Sequence, residues 1–192
     1  LPKDILKPIK MSKLIKFAQK FPQSHPKAGL STGFVEQILN GLLVNSDSLD
    51  YFDKLCQLNA KAIISGKLTE NDLRVFIYNL SIYRVGVKSH TIRNGNRFKV
   101  GDFFTPTVWS DKPYRSCQII FWDDLEVKHC QDIIMHQTNE VYIDKMFYGS
   151  VASENFVTLA QNDGLSQIDM RDWFSKLPFE GQIICWDGNV KY

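Results

Sequence analysis

Nowhere does the sequence carry an apolar run near the roughly 20 residues that a membrane-spanning helix requires. Its lysine-rich opening is followed by no apolar block of the kind a secretory signal needs. The expectation is a soluble, cytoplasmic protein with no membrane partner. Cys-x-x-Cys spacing is also absent: Cys56, Cys117, Cys130 and Cys185 stand far apart among apolar neighbours. That argues against a zinc ribbon or a redox pair and predicts reduced, mostly buried thiols. With only 7 Pro and 11 Gly in 192 residues, and no repeat or low-complexity stretch, collagen-like and disordered readings fall away.

What is present is the composition of a folded domain, 44% hydrophobic and 23% charged. The length suits one domain with an extension better than two full domains. The chain opens on Leu1, so Met11 is read as the natural start and residues 1–10 as upstream sequence. The net charge of +2 hides a segregated pattern. Residues 1–30 hold seven Lys against Asp4, residues 84–115 hold seven Lys or Arg against Asp102 and Asp111, and residues 121–192 hold twelve acids against five bases. Two basic zones that converge would steer a polyanion; either zone alone reads as a solvated face.

Leu14, Ile15 and Phe17 among lysines predict a strand within 11–21, stopped by Pro22. Ser31-Thr32 offers an N-cap before Phe34, Val35, Ile38, Leu39 and Leu42, whose spacing is a helical face ending near Asn45. Residues 46–80 continue helical, with Leu49, Phe52, Leu55 and Leu58 as one stripe, a break at Gly66, and Thr69-x-x-Asp72 as a near capping box. This stretch reads as a helical insertion, either a protein-partner surface or a cap over a cleft. Strands are predicted at His90–Arg93, Phe103–Trp109, Tyr114–Trp122, Val127–Met135, Val141–Tyr148 and Gln182–Trp186, the second and third forming a hairpin. One or two short helices fall within Thr158–Leu177, parted by Gly164. The fold class is α+β, a curled antiparallel sheet or barrel with flanking helices.

Candidate chemistry concentrates in Lys88-Ser-His-Thr-Ile-Arg93 and Asn96-Arg-Phe-Lys-Val-Gly-Asp102. Strand alternation places Lys88 and His90 on one face, with Ser89, Thr91 and Arg93 on the other. If Lys88 precedes the regular strand it can share a site with Thr91. A lysine whose pKa is lowered by burial could then deprotonate a threonine hydroxyl, which is too weak a nucleophile unaided. The alternative is a set of edge-strand surface residues.

Lys88-x-x-Thr91-Ile92-Arg93, Gly101-Asp102, the helix near Phe34–Leu43, and Leu159-Ala-Gln-Asn-Asp-Gly164 before a helix ending in Trp173-Phe174 together resemble the signature of the ASCH superfamily of PUA-like barrels. The likeness spans the first strand, the first helix and nearly everything from Lys88 onward, and leaves 46–80 unaccounted for. It implies a single domain built from 11–45 and 81–192 that binds RNA or a nucleoside in a basic cleft around Lys88, Thr91 and Arg93. Within the superfamily, small bacterial amidohydrolases that deacetylate acetylated cytidine use a lysine and a threonine of this motif and a glutamate before the late helix. Carried across, these roles fall on Lys88, Thr91 and, as a departure, Asp163. Thr91 would attack the acyl carbonyl, Lys88 would act as base and then acid, and Asp163 would orient Lys88 or the amide nitrogen. Asp163 is one methylene shorter than the glutamate, so proton transfer there requires a shifted backbone.

A second constellation is Trp109-Ser-Asp-Lys-Pro-Tyr-Arg115, a hairpin tip with two aromatics and two cations. Aromatic faces stack on bases while Lys and Arg hold phosphates. Trp-Ser-x-Lys-Pro-Tyr-Arg-Ser is similar to a stretch of phage and bacterial ASCH-like proteins, and the alternative is a packing pair of Trp109 and Tyr114. The binding set expected from both stretches is Arg93, Arg97, Trp109, Lys112, Tyr114 and Arg115. His25 and Lys27 join it from the proline-fixed loop after the first strand. His129-Cys130 with His136 fits no standard metal site, so no metal and no cofactor are expected. Three functions follow: an amidohydrolase on an acylated nucleoside, a non-catalytic RNA-binding module, and a metal-independent ribonuclease with Lys88 as base and Arg93 or Arg115 as phosphate clamp.

Overall fold

Ile15 and Phe17 are buried while Leu14 and Lys16 face outward, and this alternation makes β1 (Lys13–Lys16) a strand. The computed structural model describes residues 12–43, 51–80 and 86–192. The proposed start at Met11, the upstream residues 1–10 and the helix end near Asn45 lie outside them. β1 runs parallel to β3 (Phe103–Trp109), with Lys13 opposite Phe104 and Lys16 opposite Thr107. β3 in turn pairs antiparallel with β4 (Gln118–Ile120) and β5 (Leu125–Glu126), completing one sheet. The second sheet is antiparallel throughout. Its order is β2 (His90–Asn94), β9 (Phe179–Cys185), β6 (His129–Met135), β7 (Glu140–Ile143) and β8 (Met146–Ser150).

The chain is therefore α+β, but the two sheets do not close into the expected barrel. β1 and β2 are edge strands of different sheets. The outer edge of β2 is consumed elsewhere: Ser89 N–H, just before it, donates to the Asn162 carbonyl at 2.9 Å, and the Ile92 amide bonds to the Asp163 carboxylate. What spans the seam is a side chain, Arg93, whose Nη2 donates to the Lys16 carbonyl at 2.9 Å.

Two more strand boundaries differ. Val141–Tyr148 is a tight hairpin, with Asp144 (φ 49°) and Lys145 (φ 69°) turning the chain between β7 and β8. Of Tyr114–Trp122 only the short β4 is strand, because the tip 111–116 is a turn bound to itself through Ser116 Oγ, which accepts from Asp111 N–H at 3.0 Å and donates to Lys112 O at 2.9 Å.

The helices are α1 (Phe34–Leu43), α2 (Tyr51–Leu58), α3 (Ala60–Ile64), α4 (Glu70–Asn79), α5 (Glu154–Asn162) and α6 (Gln167–Trp173). Thr69 and Asp72 form a full capping box on α4, and Ser153 and Ser166 cap α5 and α6. Two buried cores share β9: Ile184 joins Phe17, Phe104 and Ile38 beneath α1 and α2, while Ile183 and Cys185 join Phe156, Leu159 and Met170 beneath α5 and α6. Asn59, between α2 and α3, donates to Ile120 O at 2.9 Å and accepts from Ile120 N–H at 3.0 Å, so its amide pairs with the outer edge of β4. The four cysteines are free, but only Cys185 is buried; the other three are half-exposed. Among the described residues no helix is long and apolar enough to cross a membrane.

Candidate functional site

Residues 86–89 thread between α1 and the end of α5. Lys88 N–H donates to the Gln37 carbonyl at 3.3 Å, and the Gln37 side chain donates to the Gly164 carbonyl at 3.1 Å. Gly164 has φ +77°, and a Cβ there would lie 2.5 Å from Gln37 Oε1 and 3.3 Å from Lys88 Cβ. Only glycine suits both the turn and the close approach. The result is that Lys88 is driven inward, 1% exposed, onto the C-terminal end of α5. Its ammonium donates to Asp163 Oδ1 at 2.7 Å and to the Asp163 carbonyl, and lies 4.3 Å over the Phe34 ring. A cation at a helix C-terminus is favoured by the aligned carbonyl dipoles.

Burial lowers Lys88 to about 8; Asp163 opposes this and Arg93 adds to it. Burial likewise pushes the Asp163 carboxyl up, against the pull of Lys88, Arg93 and the Ile92 amide. His90, fully buried, has its Nε2 3.7 Å from Asp163 Oδ1. Burial first, then Lys88, holds its imidazole well below the ordinary value, so it is neutral.

Thr91 does not complete this cluster as the sequence reading supposes. Alternation along β2 turns it with Arg93 toward the face of Ile184, opposite His90 and Ile92. Among the described residues its hydroxyl has no hydrogen-bond partner, while Lys88 is committed to Asp163. Lys88 and Asp163 are together; Thr91 is buried beside them on the other side of the strand.

Arg93 belongs to a different space. With Lys16 and Arg97 it lines a cleft of about 230 Å³ at the β1–β2 seam, floored by Phe98 and Gln182. Among the described residues no carboxylate lines this cleft, nor do Lys88, Thr91 or Asp163. The loop that carries Arg97 is held by one side chain: Gln182 Oε1 accepts from the Arg97 and Phe98 amides at 2.9 and 3.1 Å, and its Nε2 donates to Asn96 Oδ1 at 2.6 Å. Arg93 is clamped over Phe17 at 5.3 Å, and burial pushes its pKa down against the pull of Asp163.

Lys16 connects this cleft to the hairpin tip, its ammonium 5.3 Å over the Trp109 ring. Trp109 meets Tyr114 at 5.4 Å between centroids. Tyr114 is 87% exposed and sits at φ 63°, a conformation costly for an aromatic residue that lifts its ring into solvent. Lys112 and Arg115 flank it, both exposed.

His25 and Lys27 are elsewhere, contrary to expectation. His25 is 3% exposed, stacked on Phe21 at 4.3 Å, with Nδ1 accepting from Lys27 N–H at 3.0 Å and Nε2 donating to the Asp169 carbonyl at 3.2 Å. Lys27 pairs with Asp169 Oδ2 at 2.8 Å. The loop is pinned to the start of α6 because both polar side chains find partners there, which leaves neither for the cleft.

Sequence reasoning missed Lys16, His90 and Tyr192 as site residues. The Lys16 position was readable from β1 alternation, and His90 from its place two residues after Lys88. Tyr192 gave no local signal: its hydroxyl reaches His90 Nδ1 at 2.8 Å across 102 positions. Among the described residues, no group of three or more His, Cys, Asp or Glu is placed to hold a metal ion. Comparison with protein-family models, with curated proteins and with solved structures yields no match.

Proposed function

We propose that the protein binds single-stranded RNA or a nucleoside along the β1–β2 seam, as a PUA-like module of the ASCH type. The observation that carries this reading is the seam itself, where Lys16, Arg93 and Arg97 line one cleft to which the described residues bring no carboxylate. Lys16 links it to the half-buried Trp109 and, through that ring, to the exposed Tyr114. Cations that track phosphates beside aromatic faces that stack on bases are the two parts single-strand binding needs. Sequence preference is expected to be weak, since stacking tolerates every base.

The test is fluorescence anisotropy of a labelled single-stranded RNA over a range of salt. Three phosphate contacts on a single strand correspond to a slope of roughly −2 in log K against log salt. Absence of binding at low salt would remove the reading.

Hydrolysis of an acyl-modified nucleoside is a second reading, favoured by Lys88 lowered to about 8 beside Asp163. A base poised near neutrality is what general-base work requires. It needs Thr91 and Lys88 brought to one substrate, and chromatography of acylated nucleosides after incubation, with Lys88→Ala as control, decides it by the presence or absence of deacylated product.

A further inference from the structure

A buried amine and a buried carboxyl are each costly alone, and here the two are pressed together where the chain enters β2 beside the end of α5. Lys88 Nζ lies 2.7 Å from Asp163 Oδ1, with the side chains only 1% and 7% exposed. The Phe34 ring covers the nitrogen at 4.3 Å. Neither partner has room to retreat. Lys88 N–H is bonded to the Gln37 carbonyl, Asp163 is the C-cap of α5, and a Cβ on the next residue, Gly164, would lie 3.3 Å from Lys88 Cβ.

His90 is the third group. Its Nε2 lies 3.7 Å from Asp163 Oδ1, is buried, and has no hydrogen-bond partner among the described residues. Asn162 Nδ2 donates to the Tyr192 hydroxyl at 2.9 Å, so that hydroxyl gives its own proton to His90 Nδ1 at 2.8 Å and the imidazole hydrogen falls on Nε2. An N–H donor is thus left over beside the carboxyl, a state that native interiors avoid without a reason.

We propose that Lys88 and Asp163 condense into an intramolecular isopeptide bond, with His90 Nε2–H as the donor that holds the carboxyl oxygen during the step. The inference is carried by the geometry of these three residues and takes nothing from the RNA seam. It competes with the hydrolytic reading, because an amide nitrogen has no lone pair free to act as a base.

The ion pair first exchanges one proton, so that the ammonium becomes an amine and the carboxylate a carboxylic acid. Burial favours this exchange from both sides, lowering Lys88 to about 8 and pushing Asp163 up. Nζ then attacks Cγ, and negative charge grows on Oδ1, where His90 Nε2–H can donate. The bond from Cγ to the other carboxyl oxygen breaks, and that oxygen leaves as water, carrying its own hydrogen and one from Nζ. One C–N bond replaces one C–O bond, and nothing is oxidised or reduced. Groups held in contact react at effective concentrations of roughly 10⁵–10⁸ M, and a dry site withholds the water that the reverse step needs.

The test is the intact mass of the full chain, taken under denaturing conditions after the folded protein has stood at neutral pH. Protein held throughout in urea and Lys88→Arg are the controls. Folded wild type is expected to become one water lighter while neither control does, and digestion is expected to yield a branched peptide that joins the segments carrying Lys88 and Asp163. Full mass in folded wild type overturns the proposal, whether or not the variant folds. So does a water lost within a single unbranched peptide, as in a cyclic imide between Asp163 and the Gly164 nitrogen. His90→Leu is expected to form the bond about a hundredfold more slowly, the loss typical of one oxyanion donor. An equal rate in folded His90→Leu overturns the role given to His90.

Discussion

Arg93 Nη2 donates to the backbone carbonyl of Lys16 at 2.9 Å, joining the edge strand of one sheet to the edge strand of the other. The same guanidinium lies over Phe17 and lines the seam cleft, so one residue bridges the two sheets and shapes a basic concavity. Lysine presents its charge without the planar fork and cannot reproduce both contacts. Arg93→Lys is expected to lose about 1.5–3 kcal/mol, the range for a hydrogen bond to a charged group. Urea denaturation measures it; a loss below a few tenths would show that the bridge contributes nothing.

On the proposed RNA-binding reading, the seam and the hairpin tip are expected to make separable contributions. Arg97→Ala is expected to weaken binding across all sequences and to flatten the salt slope by about 0.7, one phosphate on a single strand. Tyr114→Ala should cost about 1–3 kcal/mol by loss of stacking while leaving the slope unchanged. Anisotropy titrations at four salt concentrations separate the two, and a Tyr114 effect confined to the slope would refute the stacking role.

The Lys88–Asp163 pair is strongly coupled, and each partner makes the other's burial tolerable. Lys88→Met leaves a buried carboxylate unpaired, at a cost of about 3–5 kcal/mol. In Asp163→Asn the main influence that raises Lys88 is gone, so the amine should titrate below about 8. The pH dependence of the Lys88 Nζ resonance reads this directly. A value moving upward in Asp163→Asn would contradict the arrangement.

His90 sets an acid limit on stability. Its folded pKa lies well below 6.5, its ordinary unfolded value, through burial and then Lys88. Between those two values the unfolded chain binds one more proton, so stability rises with pH there and is lost as pH falls below about 6.5, by up to about 1.4 kcal/mol per pH unit. Denaturation midpoints of wild type and His90→Gln from pH 7.5 to 5 are the check: the variant is expected to lack this component, and parallel curves would remove it.

Local chemistry made much of this legible. The face of α1, the alternation of β1 and β3, the Thr69 capping box and the Gly164 break all follow from neighbours within a few residues. The hairpin at Asp144-Lys145 escaped because both residues take left-handed backbone without the glycine that usually marks it. His25 and Lys27 escaped because Asp169, the group that captures them, is more than 140 positions away. Barrel closure failed for a subtler reason: an arginine side chain stands where backbone pairing was expected, and alternation patterns carry no such information. Lys88 beside Asp163 was implied only by the family resemblance, whereas the turning away of Thr91 required the actual β2–β9 register.

Asn59 pairs through its amide with both main-chain groups of Ile120, at the rim of the first sheet farthest from β1. A single side chain thus imitates the next strand and terminates the ladder with a partner that cannot propagate. The helices at 51–80 therefore act as a guard against chain-to-chain stacking. Excising them would leave β4 a bare template for another molecule, and the resulting deletion would be recognised by growing oligomers and light scattering before any change at the β1–β2 seam appeared.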